Sequence, residues 1–319
     1  MADRVVIVDT GYDDYETERQ ILEGAGYVLN VAEGCNDRAS KMRFCQGAVG
    51  LLVRGTPLDG MFMDALPGLR AIVRYGVGYD NIDVDAATDR GIRVANVQGY
   101  ASHSVSDHAL ALLFACLRGL LKGHALVQSN YGALPWTPIL ETHEATLGII
   151  GLGNIGGTLC QKAQGLFPRI LAHDPYQPLD RFRRLGAERV ELDFLFRQSD
   201  IITIHCELNE ETADMIDWDA FARMERSPIL INTARGAIVD EEALLHALEK
   251  GQIRGAGWDV FTEEPPGPES AALLSHPRMV ATGHYAWYSR TAEAALKQKA
   301  AQNLVSLLQG QLPKDCLNP

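Results

Sequence analysis

The chain has 319 residues, of which 46% are hydrophobic and 22% charged, an ordinary composition for a globular protein and a length that predicts two domains. The formal net charge is -12, and apart from a loose group at Arg181, Arg183 and Arg184 the chain has no cluster of Lys and Arg, so nucleic acid is not an expected partner. The longest apolar stretch, residues 109–117, is far too short to cross a membrane. Six cysteines without a C-x-x-C pair predict free thiols in a reducing compartment, the cytoplasm, and no metal site is expected.

In the first hundred residues, short apolar segments alternate with helix-like ones, which is typical of a parallel α/β unit. Strands are predicted over residues 5–8, 27–31, 50–53, 71–73 and 93–95, and a helix over residues 15–23. A long helix follows over residues 104–121, with apolar side chains on nearly every side. Such a helix is expected to be buried on most sides, between domains or between subunits.

A glycine-rich turn stands in the middle of the chain, with this whole α/β unit in front of it. Gly151-Leu152-Gly153-Asn154-Ile155-Gly156 follows an apolar strand over residues 146–150 and opens a predicted helix over residues 155–166. The glycines of such a turn allow a tight bend, a close approach of the backbone to a pyrophosphate, and close packing of helix on strand. The N–H groups at Asn154 and Ile155 then offer a helix N-terminus to the phosphates. The motif predicts a dinucleotide-binding domain that begins in mid-chain.

The choice of cofactor is predicted from Asp174, which lies 18 residues after Gly156 at the end of the next strand. A carboxylate at this position accepts hydrogen bonds from the ribose hydroxyls and repels a 2′-phosphate, so NAD is favoured over NADP. The alternative is that Asp174 merely ends a strand before Pro175. Arg181 and its neighbours could serve a 2′-phosphate, but they lie on a helix predicted to be solvated.

Three ionisable residues follow strands in the second half of the chain: Arg235, Glu264 and His284. Strands are predicted there over residues 170–172, 201–205, 229–232 and 256–259, and helices over residues 241–250 and 291–309. Ligands bind at the carboxyl ends of the strands in an open parallel sheet. The three side chains are therefore expected to converge on one cleft.

These residue types suit hydride transfer to a 2-keto acid. Reduction leaves negative charge on the carbonyl oxygen, so a proton donor that titrates near neutrality is needed, and histidine is such a group. An adjacent carboxylate orients the ring, and an arginine grips the carboxylate and carbonyl oxygens in one plane. Each residue alone has an alternative: Arg235 as a surface or capping residue, Glu264 as an exposed loop residue that competes with Glu263, and His284 as an ordinary histidine.

Several longer strings resemble the D-2-hydroxyacid dehydrogenase family. They are Asn232-Thr233-Ala234-Arg235-Gly236, Gly255-Ala256-Gly257-Trp258-Asp259-Val260-Phe261 and Glu263-Glu264-Pro265, and the resemblance extends over essentially the whole chain. The strings Arg74-Tyr75-Gly76-Val77-Gly78-Tyr79-Asp80-Asn81-Ile82-Asp83 and Ala286-Trp287-Tyr288-Ser289 look most like the branch of phosphoglycerate dehydrogenases and C-terminal-binding-protein corepressors. Members of the family usually carry Pro before the catalytic histidine, whereas Gly283 stands here, so this loop is expected to be more mobile or differently shaped.

The resemblance implies a role for each site residue. Arg235 would bind the substrate, His284 would act as acid and base, and Glu264 would be its partner. The N–H groups of Gly76-Val77-Gly78 would bind the substrate carboxylate. Arg74 and Trp287 would contact the substrate, although Trp287 could equally be a hinge or dimer-packing aromatic. Asp259 would bind the nicotinamide carboxamide, and the other residues expected to bind the NAD cofactor are Gly151, Gly153, Asn154, Ile155, Gly156, Asp174, Cys206, Thr212, Thr233 and Ala234.

The resemblance also implies an architecture and a function. A flavodoxin-like α/β substrate domain of residues 1–100 and 287–319 would hold an inserted Rossmann-type NAD-binding domain of residues 101–286, with the active site in the cleft. The apolar helix would belong to a homodimer contact. The expected activity is NAD-dependent oxidation or reduction of a D-2-hydroxyacid/2-keto acid pair. Alternatives are an NAD(H)-sensing, corepressor-like binding protein with vestigial activity, and a family member that oxidises phosphite or formate.

Overall fold

A computed structural model of the protein describes residues 2–129 and 140–319. The chain divides into two compact units, one made of the described residues up to Tyr100 with Ser289–Pro319, the other of Ala101–Tyr288. The chain thus builds most of the first unit, then the whole of the second, and returns to the first. The return comes at Ser289, two residues after the expected position, so Trp287 belongs to the second unit.

The described residues contain twelve strands, most of which are short runs of buried Val, Ile, Leu and Ala. The strands are β1 (Arg4–Ile7), β2 (Val28–Val31), β3 (Ala48–Val53), β4 (Ala71–Arg74), β5 (Arg93–Ala95), β6 (Thr146–Ile150), β7 (Arg169–His173), β8 (Glu188–Arg189), β9 (Ile201–Ile204), β10 (Ile229–Asn232), β11 (Gly255–Trp258) and β12 (Met279–Ala281). Thirteen α-helices lie in the same part of the chain. The helices are α1 (Glu16–Gly24), α2 (Arg38–Phe44), α3 (Gly60–Asp64), α4 (Val84–Asp89), α5 (Ser102–Arg118), α6 (Leu120–Gln128), α7 (Asn154–Ala163), α8 (Leu179–Leu185), α9 (Leu192–Gln198), α10 (Trp218–Ala222), α11 (Glu241–Lys250), α12 (Ala271–Leu274) and α13 (Arg290–Leu308).

The described part of the first unit forms a five-stranded parallel sheet in the order β2-β1-β3-β4-β5. This is the flavodoxin-like order, with a switch point between β1 and β3, and it confirms the predicted fold. Helix α13 packs on α1, β3 and β4, so the returning chain covers the sheet. The segment after α13 lines the free edge of β5, where Leu317 N donates to Val94 O at 2.8 Å and Val94 N donates to Asn318 Oδ1 at 2.7 Å.

The second unit, where described, forms a seven-stranded parallel sheet in the order β12-β11-β10-β9-β6-β7-β8. Strands β6, β7 and β8 run outward on one side and β9 to β12 on the other, which is the Rossmann order extended by one strand. The switch point lies between β6 and β9. Helix α5 packs on α7, β10 and β11. The predicted Rossmann-type domain is confirmed.

The predicted apolar helix ends earlier than expected, because Gly119 adopts a left-handed φ of 59° and stops α5 at Arg118. Val105 and Leu112 are buried in the unit, but Ala111 on the opposite face is exposed, so the helix is not covered on every side. Helix α6 has no buried residue. No single helix within the described residues is long and apolar enough to cross a membrane, and only α5 and α6 taken together, with a 56° bend, reach that length and composition.

Candidate active site

The glycine fingerprint connects β6 to the first turn of α7. Gly151 has a φ of +87°, and a Cβ on Gly156 would lie 2.0 Å from the carbonyl oxygen of Gly151, so neither position accepts a side chain. A Cβ on Gly153, in contrast, would meet no atom within 4 Å. Helix α7 begins without a side-chain cap, which leaves its first N–H groups for an anion. The turn therefore fits the pyrophosphate of a dinucleotide.

Asp174 follows β7, and its carboxylate bonds back to the fingerprint. One oxygen accepts a hydrogen bond from Leu152 N at 2.8 Å, and the other accepts one from Tyr176 N at 3.0 Å. The side chain is half-buried and keeps acceptor capacity beside the pyrophosphate turn. This position suits the ribose contact expected from the sequence, which stays a prediction.

Other residues expected to line the cofactor follow β9 and β10. Cys206 comes after β9, the neighbour of β6, and a Cβ on Gly151 would lie 2.5 Å from its backbone nitrogen. Thr233 is buried, and its hydroxyl has no hydrogen-bond partner in the part of the chain that the structure describes. The hydroxyl of Thr212 is engaged within its own loop, where it donates to Glu207 O at 2.6 Å. Thr233 can therefore offer its hydroxyl to a ligand, whereas Thr212 can do so only by breaking a bond.

Arg235, Glu264 and His284 follow the neighbouring strands β10, β11 and β12, all at the carboxyl edge of the sheet. His284 Nδ1 lies 2.5 Å from Glu264 Oε2, and the other Glu264 oxygen accepts from Phe261 N at 3.1 Å. Arg235 Nη1 donates to Ala234 O at 2.8 Å. The structure thus brings the predicted histidine and glutamate into direct contact, with both side chains 36% exposed.

The environment of Glu264 keeps its carboxyl charged. Partial burial raises its pKa, but the hydrogen bond and charge of His284, the N–H of Phe261 and the charge of Arg235 outweigh burial and lower the pKa below its usual value. A charged Glu264 accepts from Nδ1–H of the imidazole and leaves Nε2 to exchange a proton with a ligand.

The loop that carries His284 is organised by Asp259. The backbone of His284 has a φ of 54°, in the left-handed region, and its N–H donates to Asp259 O at 2.7 Å. The fully buried carboxylate of Asp259 accepts from Ala286 N at 2.9 Å and from the Thr282 hydroxyl at 2.6 Å. Asp259 therefore holds the loop on both sides of His284. Its expected contact with the nicotinamide stays a prediction.

His108 on α5 also belongs to this region, although the sequence does not predict it. Its Nε2 lies 2.9 Å from Thr282 Oγ1 and 3.6 Å from Asp259 Oδ1, and its ring packs edge-on against Tyr285, 5.2 Å between centroids. Because Thr282 donates to Asp259, its hydroxyl oxygen accepts from Nε2–H of His108. The contact joins residues 174 positions apart, so no local pattern could have indicated it.

In the first unit, the turn Gly76-Val77-Gly78 follows β4, and Gly76 needs its glycine because its φ is +136°. The carbonyl of Gly76 accepts from Val97 N at 2.9 Å, and that of Val77 accepts from Asn96 Nδ2 at 2.6 Å. Within the described chain, the N–H groups of Val77 and Gly78 have no hydrogen-bond partner. The protein thus engages the carbonyls of the turn and leaves N–H groups for an anion.

Arg74 and Trp287, both expected at the substrate, lie in different units. Arg74 ends β4, and its Nη1 donates to Tyr75 O at 2.7 Å. Trp287 is half-buried, with its ring edge-on to Tyr288 at 5.5 Å between centroids. Their substrate contacts stay predictions. Among residues 2–129 and 140–319, no group of three or more His, Cys, Asp and Glu is arranged to hold a metal ion.

A Rossmann-ordered sheet with a glycine turn at its switch point and an acidic residue after its second strand is typical of NAD-dependent oxidoreductases. Comparison with known proteins agrees. Residues 110–286 match the family described as D-isomer specific 2-hydroxyacid dehydrogenase, NAD binding domain. The chain belongs to this family and is an NAD-dependent oxidoreductase.

Individual relatives support this assignment over most of the chain. The glyoxylate reductase of Korarchaeum cryptofilum is 37% identical over 282 residues, which cover 87% of this chain and 84% of that protein. The D-3-phosphoglycerate dehydrogenase of Archaeoglobus fulgidus is 34% identical, over 82% of this chain and 50% of that longer protein. The crystal structure of the TT0316 protein from Thermus thermophilus is similar with a TM-score of 0.86 and 32% identity, over 98% of this chain and 99% of that one.

Proposed function

We propose that this dehydrogenase transfers a hydride between NAD(H) and a D-2-hydroxyacid/2-keto acid pair, with His284 as the acid and base. The observation that carries the proposal is the 2.5 Å contact between His284 Nδ1 and Glu264 Oε2 at the carboxyl edge of the second sheet. A carboxylate on Nδ1 selects the tautomer that presents Nε2 to a ligand. Histidine–carboxylate pairs of this kind transfer protons near neutral pH.

Different residues of the chain are proposed to carry out the separate parts of this reaction. NADH, when bound, supplies the hydride. During reduction of a keto acid the carbonyl oxygen gains negative charge, and His284 donates a proton to it from Nε2; in the reverse direction the same nitrogen accepts the hydroxyl proton. Glu264 stabilises the positive charge of the protonated ring. Arg235 holds two substrate oxygens through its planar guanidinium and so orients the reacting carbon.

The N–H groups of Gly76-Val77-Gly78 are proposed to bind the substrate carboxylate. Backbone N–H donors suit an acid whose carboxylate must be held in a fixed position during the reaction. The relatives named glyoxylate reductase support a short 2-keto acid as substrate. Arg74 and Trp287 are proposed to select the group that the substrate carries beyond its carbonyl carbon.

The proposal is tested by following NADH oxidation with a panel of 2-keto acids that begins with glyoxylate, pyruvate and hydroxypyruvate. His284→Ala is expected to lower kcat about 10²–10⁴-fold, the usual contribution of a general acid. Glu264→Gln is expected to lower kcat roughly tenfold, because a neutral amide stabilises the charged ring less well. If the wild type reduces no keto acid more than about tenfold faster than His284→Ala does, the proposal fails.

A control variant separates loss of the acid from general damage. His143 is an exposed histidine of the second unit, with 69% of its side chain accessible, and it lies beside the surface carboxylates of Glu141 and Glu144. His143→Ala is expected to keep wild-type kcat with every substrate. A corepressor-like binding role is not favoured, because the relatives above are named as enzymes and the histidine–carboxylate pair is intact.

We further propose that the enzyme is a cytoplasmic homodimer. Helix α6 exposes Leu120, Leu121 and Val127 at 57%, 58% and 54% of their surface, an apolar patch that a second copy of the chain would cover. All six cysteines are free thiols, which suits a reducing compartment.

A further inference from the structure

Arg181 on α8 reaches back to the pyrophosphate turn. Its Nε donates to Leu152 O at 2.6 Å and its Nη2 donates to Gly153 O at 2.7 Å, so one guanidinium holds two successive carbonyls of the fingerprint. The side chain is half-buried, whereas Arg183 and Arg184 on the same helix are exposed. Helix α8 is largely exposed, as the sequence predicts, but the Arg181 side chain is bound to the protein.

Two features of the surrounding structure direct Arg181 to the turn. Phe182, the next residue, is fully buried and anchors α8 in the core of the second unit. Gly157 on α7 leaves room for the guanidinium, since a Cβ there would lie 3.0 Å from Arg181 Nη2 and 3.3 Å from a methyl carbon of Leu185. The absence of a side chain at Gly157, which directly follows the fingerprint, thus provides the space that the Arg181 guanidinium occupies.

The contact fixes the turn in the orientation that an anion needs. The N–H of Leu152 donates to Asp174 and its carbonyl accepts from Arg181, so its two peptide groups are held from both sides. In an anion-binding turn the carbonyls must stay turned away from the ligand. A guanidinium on those carbonyls makes charge-assisted hydrogen bonds and adds positive charge near the N-terminus of α7, where the helix dipole already favours an anion.

We propose that Arg181 is a positioning residue for the cofactor diphosphate, acting through the backbone of Leu152 and Gly153. The inference rests on the fingerprint as the NAD site and is independent of the roles proposed for Arg235, Glu264 and His284. It assigns Arg181 to the diphosphate and not to the adenosine part of the cofactor. Affinity for ligands that contain the diphosphate therefore depends on Arg181, whereas affinity for adenosine does not.

The test measures binding, by calorimetric titration of the full chain with ADP-ribose and with adenosine. Arg181→Met is expected to weaken ADP-ribose roughly tenfold, the size of losing a charge-assisted hydrogen bond, and to leave adenosine within about twofold. Arg181→Lys, which keeps the charge but cannot fork between two carbonyls, is expected to fall between Arg181→Met and the wild type. Arg184→Met, an exposed neighbour on the same helix, is the control and is expected to bind ADP-ribose as the wild type does.

Gly157→Ala gives a second and independent test. Its Cβ would lie 3.0 Å from Arg181 Nη2, so the end of that flexible side chain must shift by a few tenths of an ångström, and ADP-ribose affinity is expected to fall. The melting temperature of the ligand-free protein is expected not to fall, because alanine has the higher helix propensity. A loss of affinity without a loss of stability is not what a general structural defect would produce.

Two outcomes would overturn the inference. One is ADP-ribose affinity within twofold of wild type in both Arg181→Met and Gly157→Ala. The other is an equal loss for adenosine and ADP-ribose, which would mean that the variants damage the whole site. Failure of the wild type to bind ADP-ribose would instead refute the assignment of the fingerprint as the cofactor site.

Discussion

His284 combines the proposed proton donor with a backbone in the left-handed region, directly after Gly283. The strained residue is the histidine and not the glycine. A Cβ on Gly283 would meet no atom within 4 Å, and the φ of Gly283 lies outside the left-handed region. The shape of the loop therefore comes from the bonds to Asp259, and position 283 does not require glycine.

Gly283→Ala is expected to keep kcat and KM within about twofold and to raise the free energy of unfolding by ~0.4–1 kcal/mol, because alanine restricts the unfolded chain more than glycine does. Gly119→Ala is the matched control, since Gly119 has a left-handed φ of 59° and the substitution is expected to cost about 1 kcal/mol. Urea unfolding and steady-state kinetics check both. A tenfold lower kcat in Gly283→Ala would show that the loop depends on glycine after all.

Asp174 is expected to set the preference for NADH, because its carboxylate lies beside the turn and repels a 2′-phosphate. Wild-type kcat/KM should favour NADH over NADPH by about 10²-fold, and Asp174→Asn should narrow the ratio roughly tenfold, since it removes the charge but keeps an oxygen for Leu152 N. Similar kcat/KM values with the two cofactors in the wild type would contradict the role given to Asp174. Kinetics with both cofactors at one keto acid concentration decide the matter.

At the residue scale, the sequence predicts side chains whose role follows from their place after a strand. Arg235, Glu264 and His284 could be found this way, because parallel strands end at one edge of a sheet. Contacts of His108 and Arg181 could not, since each depends on where a distant helix packs. For Arg181 one signal did exist: Gly157 adds a glycine that the fingerprint itself does not need.

At the scale of elements, one carboxylate connects the loops that follow β1 and β3 at the switch point of the first sheet. Asp9 follows β1 and accepts hydrogen bonds from the backbone N–H groups of Arg54, Gly55 and Thr56 after β3, at 2.7, 2.8 and 3.0 Å. Lys41 Nζ of α2 lies 2.6 Å from its other oxygen. Burial raises the pKa of the Asp9 carboxyl, but the bonds from Lys41 and Thr56 outweigh burial and hold the pKa far below its usual value.

Asp9→Asn is expected to lower the free energy of unfolding at pH 7 by about 2–4 kcal/mol. The N–H groups of the loop after β3 and the ammonium group of Lys41 would both lose the carboxylate that binds them. A depressed folded pKa means that the contribution is present above the unfolded pKa of about 4 and is lost as the pH falls toward the folded pKa. The difference between variant and wild type should therefore shrink below about pH 4. Denaturant unfolding at neutral and acid pH measures it, and a pH-independent difference would exclude this explanation.

A surface carboxylate provides the control for Asp9. Asp3 pairs with Arg70, and both side chains are about half exposed. Asp3→Asn is expected to cost less than about 1 kcal/mol, as exposed ion pairs usually do.

One helix that is marked at both ends could be predicted to the residue, whereas weakly marked elements could not. Helix α11 is predicted in full, because Asp240 caps its first turn and Gly251 ends it with a φ of 73°. The sequence does not predict the break at Gly119, since the apolar pattern continues on both sides of that glycine. Strand β8 has two exposed polar residues, and no hydrophobic pattern marks it.

At the scale of the whole molecule, the mid-chain fingerprint predicts that a dinucleotide-binding domain begins after an α/β unit, and the family resemblance implies the two folds. The number of chains in the assembly does not follow from the sequence in the same way. A homodimer is expected to appear in light scattering as a particle of about 70 kDa, twice the 34.9 kDa chain. Leu121→Ser on α6 is expected to shift the measured mass toward that of a monomer. Met61→Ser, at an exposed apolar residue of the first unit, is expected to leave the mass unchanged. A monomeric wild type at micromolar concentration would refute the dimer.

The return of the chain to the first unit also sets an order of events during synthesis. Domains fold as their residues leave the ribosome, but α13 and the segment that pairs with β5 are made only after the whole second unit. A released chain truncated after Tyr288 should therefore have a protease-resistant second unit and a first unit that is still cleaved. The first unit, although most of its residues are made before the second unit, is therefore the last to complete its fold.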